Sequence, residues 1–233
     1  MSPVEQTPTR QAASDAVGGQ GWRYLLGALR TSVPVASLGQ AAEVVARPVA
    51  ACGDDADGHL RADVRSDRVV LTLQALDRAA LTARDLDLAH RISATVRDLG
   101  LRTEPEIGTG APRSVQLLEI AIDALDIAAV RPFWRAVLGY TDEAGTGGPT
   151  DPIVDPVGQG PTIWFQRMDR PRPQRNRIHF DICVPHDEAA GRIEAALTAG
   201  GRLVSAADAP AFWVLADIEG NEACVTTWQG RDD

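Results

Sequence analysis

Few side chains in this chain can bind a metal or move a proton near neutral pH. It has four histidines, His59, His90, His179 and His186, and three cysteines, Cys52, Cys183 and Cys224. It has no lysine, so all 23 basic residues are arginine and Schiff-base chemistry on lysine is excluded. Two alternating segments set candidates on ordered faces. In Ser114 to Asp123, Leu118, Ile120 and Ile122 share one face, and Leu117, Glu119, Ala121 and Asp123 share the other. A mid-strand carboxylate with a small neighbour marks a solvated or ligand-facing surface. In Arg177 to Val184, Ile178, Phe180, Ile182 and Val184 form the apolar face, opposite His179, Asp181 and Cys183. Trp164 and Gln166 share a face of a strand from Thr162 to Met168, and Glu222 and Cys224 share a face of a strand from Glu222 to Trp228.

Composition narrows the classes of function. A formal charge of −9 argues against non-specific nucleic-acid binding, which needs cations to neutralise phosphates. No apolar run reaches the roughly 20 residues of a membrane span. Met1 to Gln20 lacks the basic and apolar regions of a signal peptide, so a cytoplasmic protein is expected. The cysteine spacing fits neither a disulfide framework nor a zinc motif, and the three residues read as small buried side chains.

The elements that must position these groups fall in two regions. Residues 1–20 read as a disordered tail and residues 103–113, with two prolines and two glycines, as a linker between 21–102 and 114–229. In the first region, Trp22 to Val35 suits a strand or two, and Ala36 to Val45 has helical spacing ended near Pro48. His59–Arg65 and Arg68–Gln74 read as a hairpin about Ser66-Asp67. Thr82 caps a helix with Leu86, Ala89, Ile92, Val96 and Leu99 on its apolar side, stopped by Gly100.

The Ala42-Glu43 helix before Arg47-Pro48, the hairpin, and Leu81-Thr-Ala-Arg-Asp85-Leu-Asp-Leu-Ala89 resemble pterin-4a-carbinolamine dehydratase, a small α+β fold with helices on an antiparallel sheet. That family's His-His-Pro motif is replaced here by Ala46-Arg47-Pro48, and its third histidine by the stretch Gln74-Ala75-Leu76. Dehydration needs an acid and a base near the pterin, which Ala46 and Leu76 cannot supply and a permanently protonated Arg47 does not. The resemblance therefore implies a degenerate module kept for packing, dimerisation or ligand capture. Pterin dehydratase activity through other residues is the alternative.

The second region reads as strand, helix, strands, then strand, helix, strands. A helix starts near Asp126 and carries Val130, Phe133, Trp134 and Val137. A second runs from Glu188 to Ala199. Phe133-Trp-Arg-Ala-Val-Leu-Gly139, Asn176-Arg-Ile-His-Phe-Asp181 and Asp217-Ile-Glu-Gly-Asn-Glu222 resemble motifs of the glyoxalase/bleomycin resistance/dioxygenase, or vicinal oxygen chelate, superfamily. That fold pairs two βαβββ halves around a β-cup, and the whole chain is α+β. The resemblance implies a small-molecule ligand and a homodimer. It also implies a divalent ion (Zn, Mn, Fe or Ni) held by Glu119 and His179 at equivalent positions, with Glu222 nearby. Cys224 stands where the family's usual glutamate falls, four residues after Gly220. Trp164, Gln166, Asp181 and Cys224 are the expected pocket lining. A metal-assisted lyase, isomerase or dioxygenase and a non-catalytic drug-sequestering binder both fit this pattern. Arg167, Arg170, Arg172, Arg175 and Arg177 form a basic stretch beside the cup.

Overall fold

Alternation of apolar and polar residues sets most of the strands, and their order builds two separate sheet systems. The protein is described here by a computed structural model covering residues 6–106, 114–171 and 178–230. It divides into two compact units, Met1–Leu117 and Leu118–Asp233. Arg172, Arg175 and Arg177, and most of the expected linker, lie outside the described residues. Among the described residues no helix is long and apolar enough to cross a membrane.

The first unit runs α1 (Arg10–Gly18), β1 (Arg23–Leu25), β2 (Ala28–Pro34), α2 (Leu38–Cys52), β3 (Leu60–Val64), β4 (Arg68–Leu73) and α3 (Ala83–Asp98). Its four strands are antiparallel in the order β1-β2-β4-β3. Leu29, Val33, Val69, Leu71 and Leu73 point to one face and pack with Leu88, Ile92 and Val96 of α3 and Ala41 and Val44 of α2. The polar tail expected over residues 1–20 is corrected by α1. Thr9 caps that helix, and Ala13 and Val17 are fully buried. The stop expected near Pro48 is corrected as well, because α2 continues to Cys52. Its buried stripe Ala41, Val44, Pro48, Cys52 runs through the proline. Packing the ring into the core offsets the helix hydrogen bond that proline cannot donate. Residues 103–106 are tied down rather than free, with Glu104 bridging Ser32 in both directions.

The second unit runs β5 (Glu119–Ala124), α4 (Ile127–Leu138), β6 (Thr141–Asp142), β7 (Ile153–Val154), β8 (Thr162–Arg167), β9 (Asp181–Cys183), α5 (Ala189–Thr198), β10 (Arg202–Ser205), β11 (Phe212–Ala216) and β12 (Glu222–Thr226). Its sheets are ordered β5-β8-β7-β6 and β10-β11-β12-β9. Each is a βαβββ half with the same connectivity: the first strand lies parallel to the fourth and all other pairs are antiparallel. The apolar faces of both sheets and the buried sides of α4 and α5 share one core, centred on Phe133 and Trp134. Gly139 ends α4 in the left-handed region, φ 69°, where a β-carbon would be strained. Gly201 lies so close to the Phe133 ring that a β-carbon there would overlap it.

Candidate functional site

Glu119 begins β5, where Ile122 and Ala124 are buried and Glu119 and Ala121 are exposed. The parallel register pairs Glu119 with Thr162, Ala121 with Trp164 and Asp123 with Gln166. Paired residues on adjacent strands share a face. Glu119, Asp123, Trp164 and Gln166 therefore lie on one surface, turned away from the core. In the second half Cys224 pairs with Asp181 and Thr226 with Cys183, while Ile182 and Val225 turn to the core. Glu222 precedes Cys224 by two residues on the same face, and His179 lies just before β9, exposed. Cys224 is buried, but Cys183 is exposed, which corrects the expectation of three buried cysteines.

The halves repeat with an offset of 62 residues. This offset carries Ile127, the first residue of α4, onto Ala189, the first of α5. It also carries the pair Glu119–Thr162 onto Asp181–Cys224. The structural counterpart of Glu119 is thus Asp181, and His179 corresponds to Leu117. This corrects the assignment of His179 as the equivalent position. The sequence hides it because segments 115–118 and 178–180 continue the alternation just outside strands β5 and β9. Among the described residues, no three His, Cys, Asp or Glu side chains come together to hold a metal ion. Among the described residues of a single chain, Glu119, His179 and Glu222 are not gathered into one such group.

One acid on the first sheet was not singled out by sequence. Glu143 directly follows the two-residue strand β6, too short for alternation to show. Burial pushes its carboxyl above the ordinary value of 4.5, and the charges of Glu119 and Asp151 add to the shift. The unfolded chain releases this proton more readily than the folded one. Ionisation therefore removes stability as pH rises through the interval above 4.5. Glu143→Gln should flatten that decline and raise the unfolding midpoint at pH 7 while leaving it nearly unchanged at pH 4. Thermal unfolding of both proteins across this range checks it, and parallel pH curves would refute it.

The turn that carries the third resemblance motif acts through structure. Asp217 is fully buried. Its carboxylate accepts from Trp134 Nε1 (3.0 Å), Glu219 N (3.0 Å), Asn221 N (2.9 Å) and Asn221 Nδ2 (2.8 Å). The Glu219 carboxylate accepts from Leu125 N (2.8 Å) and Asp126 N (2.7 Å), where β5 hands over to α4. From the N-terminal half of α4, buried Arg131 donates to Asp142 at 2.6 Å and holds that carboxyl below its usual range. These groups fix the strands that present the polar faces.

In the first unit, Ala46 and Arg47 both lie on α2, and Leu76 is exposed. Among the described residues, His59, given no catalytic role from sequence, meets an acid. Its Nδ1 lies 2.8 Å from Oδ1 of fully buried Asp85. Twenty-six residues separate the two, so local spacing carries no sign of the pair.

The model of the glyoxalase-like domain family matches residues 119–226. No curated protein matches the chain. Among solved structures, a glyoxalase/bleomycin resistance protein/dioxygenase family enzyme from Burkholderia phytofirmans PsJN is 17% identical. It covers 47% of this chain and 95% of its own, with a TM-score of 0.39. A glyoxalase-related enzyme from Fulvimarina pelagi is 18% identical over 48% of this chain and 87% of its own, TM-score 0.39. The fosfomycin resistance protein FosX from Listeria monocytogenes is 12% identical over 50% and 93%, TM-score 0.38. With the family match spanning both βαβββ halves, residues 119–226 of this chain are a glyoxalase-like domain.

Proposed function

We propose that the second unit captures a small, oxygen-rich ligand on its polar sheet faces, in a cup completed by a second copy of the chain. The 62-residue register carries this reading. It sets a carboxylate, Glu119 or Asp181, at the same position of each half, while the opposite faces of both sheets are committed to one core. The polar faces are turned away from that core, so a homodimer is the arrangement that would set one against another. Trp164, Gln166 and Glu222 surround the carboxylates and supply an apolar surface, an amide and a further acceptor. Cys224 is buried where the resemblance implies a glutamate ligand, which supports a ligand held by direct polar contact.

Metal analysis and light scattering of the purified full chain test this. The expected result is a dimer without stoichiometric Zn, Mn, Fe or Ni. A stoichiometric ion that is lost in both Glu119→Ala and His179→Ala would overturn it in favour of a metal-assisted lyase, isomerase or dioxygenase. A monomer would remove the shared cup.

The first unit reads as a pterin-dehydratase-like scaffold without that family's histidines. The β3–β4 hairpin and the Thr82–Asp85 helix start support this reading. The His59–Asp85 pair favours one other reading, residual pterin chemistry. Dehydratase turnover by the full chain that disappears in His59→Gln would replace the scaffold with an enzyme.

A further inference from the structure

The four-stranded sheet of the first unit has a second face, opposite the core packed against its helices. One cross-strand row on it runs Arg61 (β3), Thr72 (β4), Arg30 (β2) and Arg23 (β1). The acids on this face are already matched: Asp63 pairs with Arg65 at 2.8 Å, and Asp67 pairs with Arg68. Arg61 differs from its neighbours. It is partly buried, and among the described residues no carboxylate pairs with it. Its hydrogen bond is a 3.1 Å contact from Nη2 to the neutral Gln74 Oε1, and its Nε is buried with no partner. Burial alone pulls the Arg61 guanidinium below its ordinary value, with no nearby acid to offset the effect. Arginine nevertheless stays charged, so the chain holds a desolvated cation without a counter-charge, an arrangement that costs stability unless an anion completes it.

The surroundings suit such an anion. Directly opposite Arg61, the Thr72 hydroxyl accepts from Arg30 Nε at 3.2 Å. Its own proton has no acceptor among the described residues. Facing side chains on paired strands stand about 5 Å apart, so an oxyanion above Thr72 would meet a guanidinium on either side. The next row along, Asp63–Val70–Ser32, adjoins a cavity of about 380 Å³ bordered by Arg30, Asp63, Val70, Val115 and Gln116. Val115 is buried and returns over this face.

We propose that the first unit binds a small molecule bearing a phosphate or carboxylate, with the oxyanion held by Arg61 and the Thr72 hydroxyl and the body in the adjoining cavity. Arg61 anchors the charge through guanidinium hydrogen bonds. Val70 and Val115 give the body an apolar surface. This site is independent of the glyoxalase-like domain and of the His59–Asp85 pair.

Titration calorimetry on the full chain tests it, using inorganic phosphate and succinate in turn against sodium chloride of equal ionic strength. At least one of the two should bind above the chloride control, and which one identifies the oxyanion. Arg61→Met should weaken that binding about tenfold or more, since charged hydrogen bonds are lost. It should leave the anion-free unfolding midpoint unchanged or higher. Arg97→Gln, with the same charge change at an exposed position of α3, should bind as the wild type does. If Arg61→Met does not fold, Thr72→Val decides: weaker binding upholds the site, unchanged binding overturns it. Absence of binding by both anions, persistence in Arg61→Met, or equal loss in Arg97→Gln also overturns the proposal.

Discussion

Replacing Asp217 by alanine should destabilise the second unit by on the order of 3–5 kcal/mol. The carboxylate is fully buried and answers four donors. Its removal leaves the Trp134 indole N–H and two backbone N–H groups without acceptors. Each unsatisfied buried group costs about 1–3 kcal/mol, more where the lost partner was charged. The damage extends beyond the turn. Glu219, which receives Leu125 N and Asp126 N, loses the frame that aims it. The start of α4 and the end of β5 should therefore show faster amide exchange, and the proposed ligand capture on the Glu119 face should weaken with them. The amide introduced by Asp217→Asn would keep one acceptor oxygen but turn an NH₂ group toward other donors. This variant should therefore fall between wild type and Asp217→Ala. Urea unfolding with amide exchange on residues 119–138 measures this. A loss under about 1 kcal/mol for Asp217→Ala would contradict the assignment of a buried hub.

Asp85→Ala should produce the second large loss, on the order of 3 kcal/mol, confined to the first unit. Oδ2 of Asp85 accepts from Thr82 N at 2.7 Å and Thr82 Oγ1 at 2.8 Å, while Oδ1 meets His59. The helix cap alone accounts for about 1 kcal/mol. The remainder is the cost of leaving the buried Thr82 N–H and the His59 ring unmatched. Asp85→Asn retains one acceptor and should recover part of the loss. Because the units have separate cores, amide exchange should slow or quicken independently in each. Asp85→Ala should speed exchange in α3 and the β3–β4 hairpin while residues 119–226 stay protected. Uniform acceleration across both units would show that the lost energy is not local to the cap.

Much of the fold could be read from the sequence, and the physical reasons are specific. Alternation at 119–123 and 162–167 and the apolar stripe from Val130 to Val137 each fix a face, because one side must be buried. Helix α3 announced itself through Thr82 and Gly100, where capping chemistry is local. The two-residue strands β6 and β7 are too short to alternate, and β10 exposes most of its residues. Helix α1 has a polar composition and is held by two small buried residues, which composition cannot reveal. Pro48 signalled a stop that tertiary burial overrode.

The candidate site was legible only in part. Residue types and faces placed Glu119, Trp164, Gln166, Asp181 and Glu222 on polar surfaces. Which of them are equivalent depends on strand register, and that is set by pairing between segments far apart. Asp181 is the counterpart of Glu119 because Cys224 lies opposite it as Thr162 lies opposite Glu119. Whether side chains converge is a still longer-range property. For the same reason the unmatched charge of Arg61 is invisible in a sequence with many acids, since nothing local says which arginines find one.

The parallel pairing of first and fourth strands also constrains the order in which the glyoxalase-like domain can be made. In each half the opening strand finds its partner 43 residues later, 119 to 162 and again 181 to 224. During vectorial synthesis β5 leaves the ribosome and waits with an unpaired edge until β8 follows, and β9 waits for β12 in its turn. Such non-local closure is slow relative to helix formation. The first half can close while the second is still being translated, but its core needs Leu215 and Val225 from the later half. A nascent chain stalled between the two closures would present an apolar sheet face with half its cover missing, and this interval is where a chaperone would have most to do.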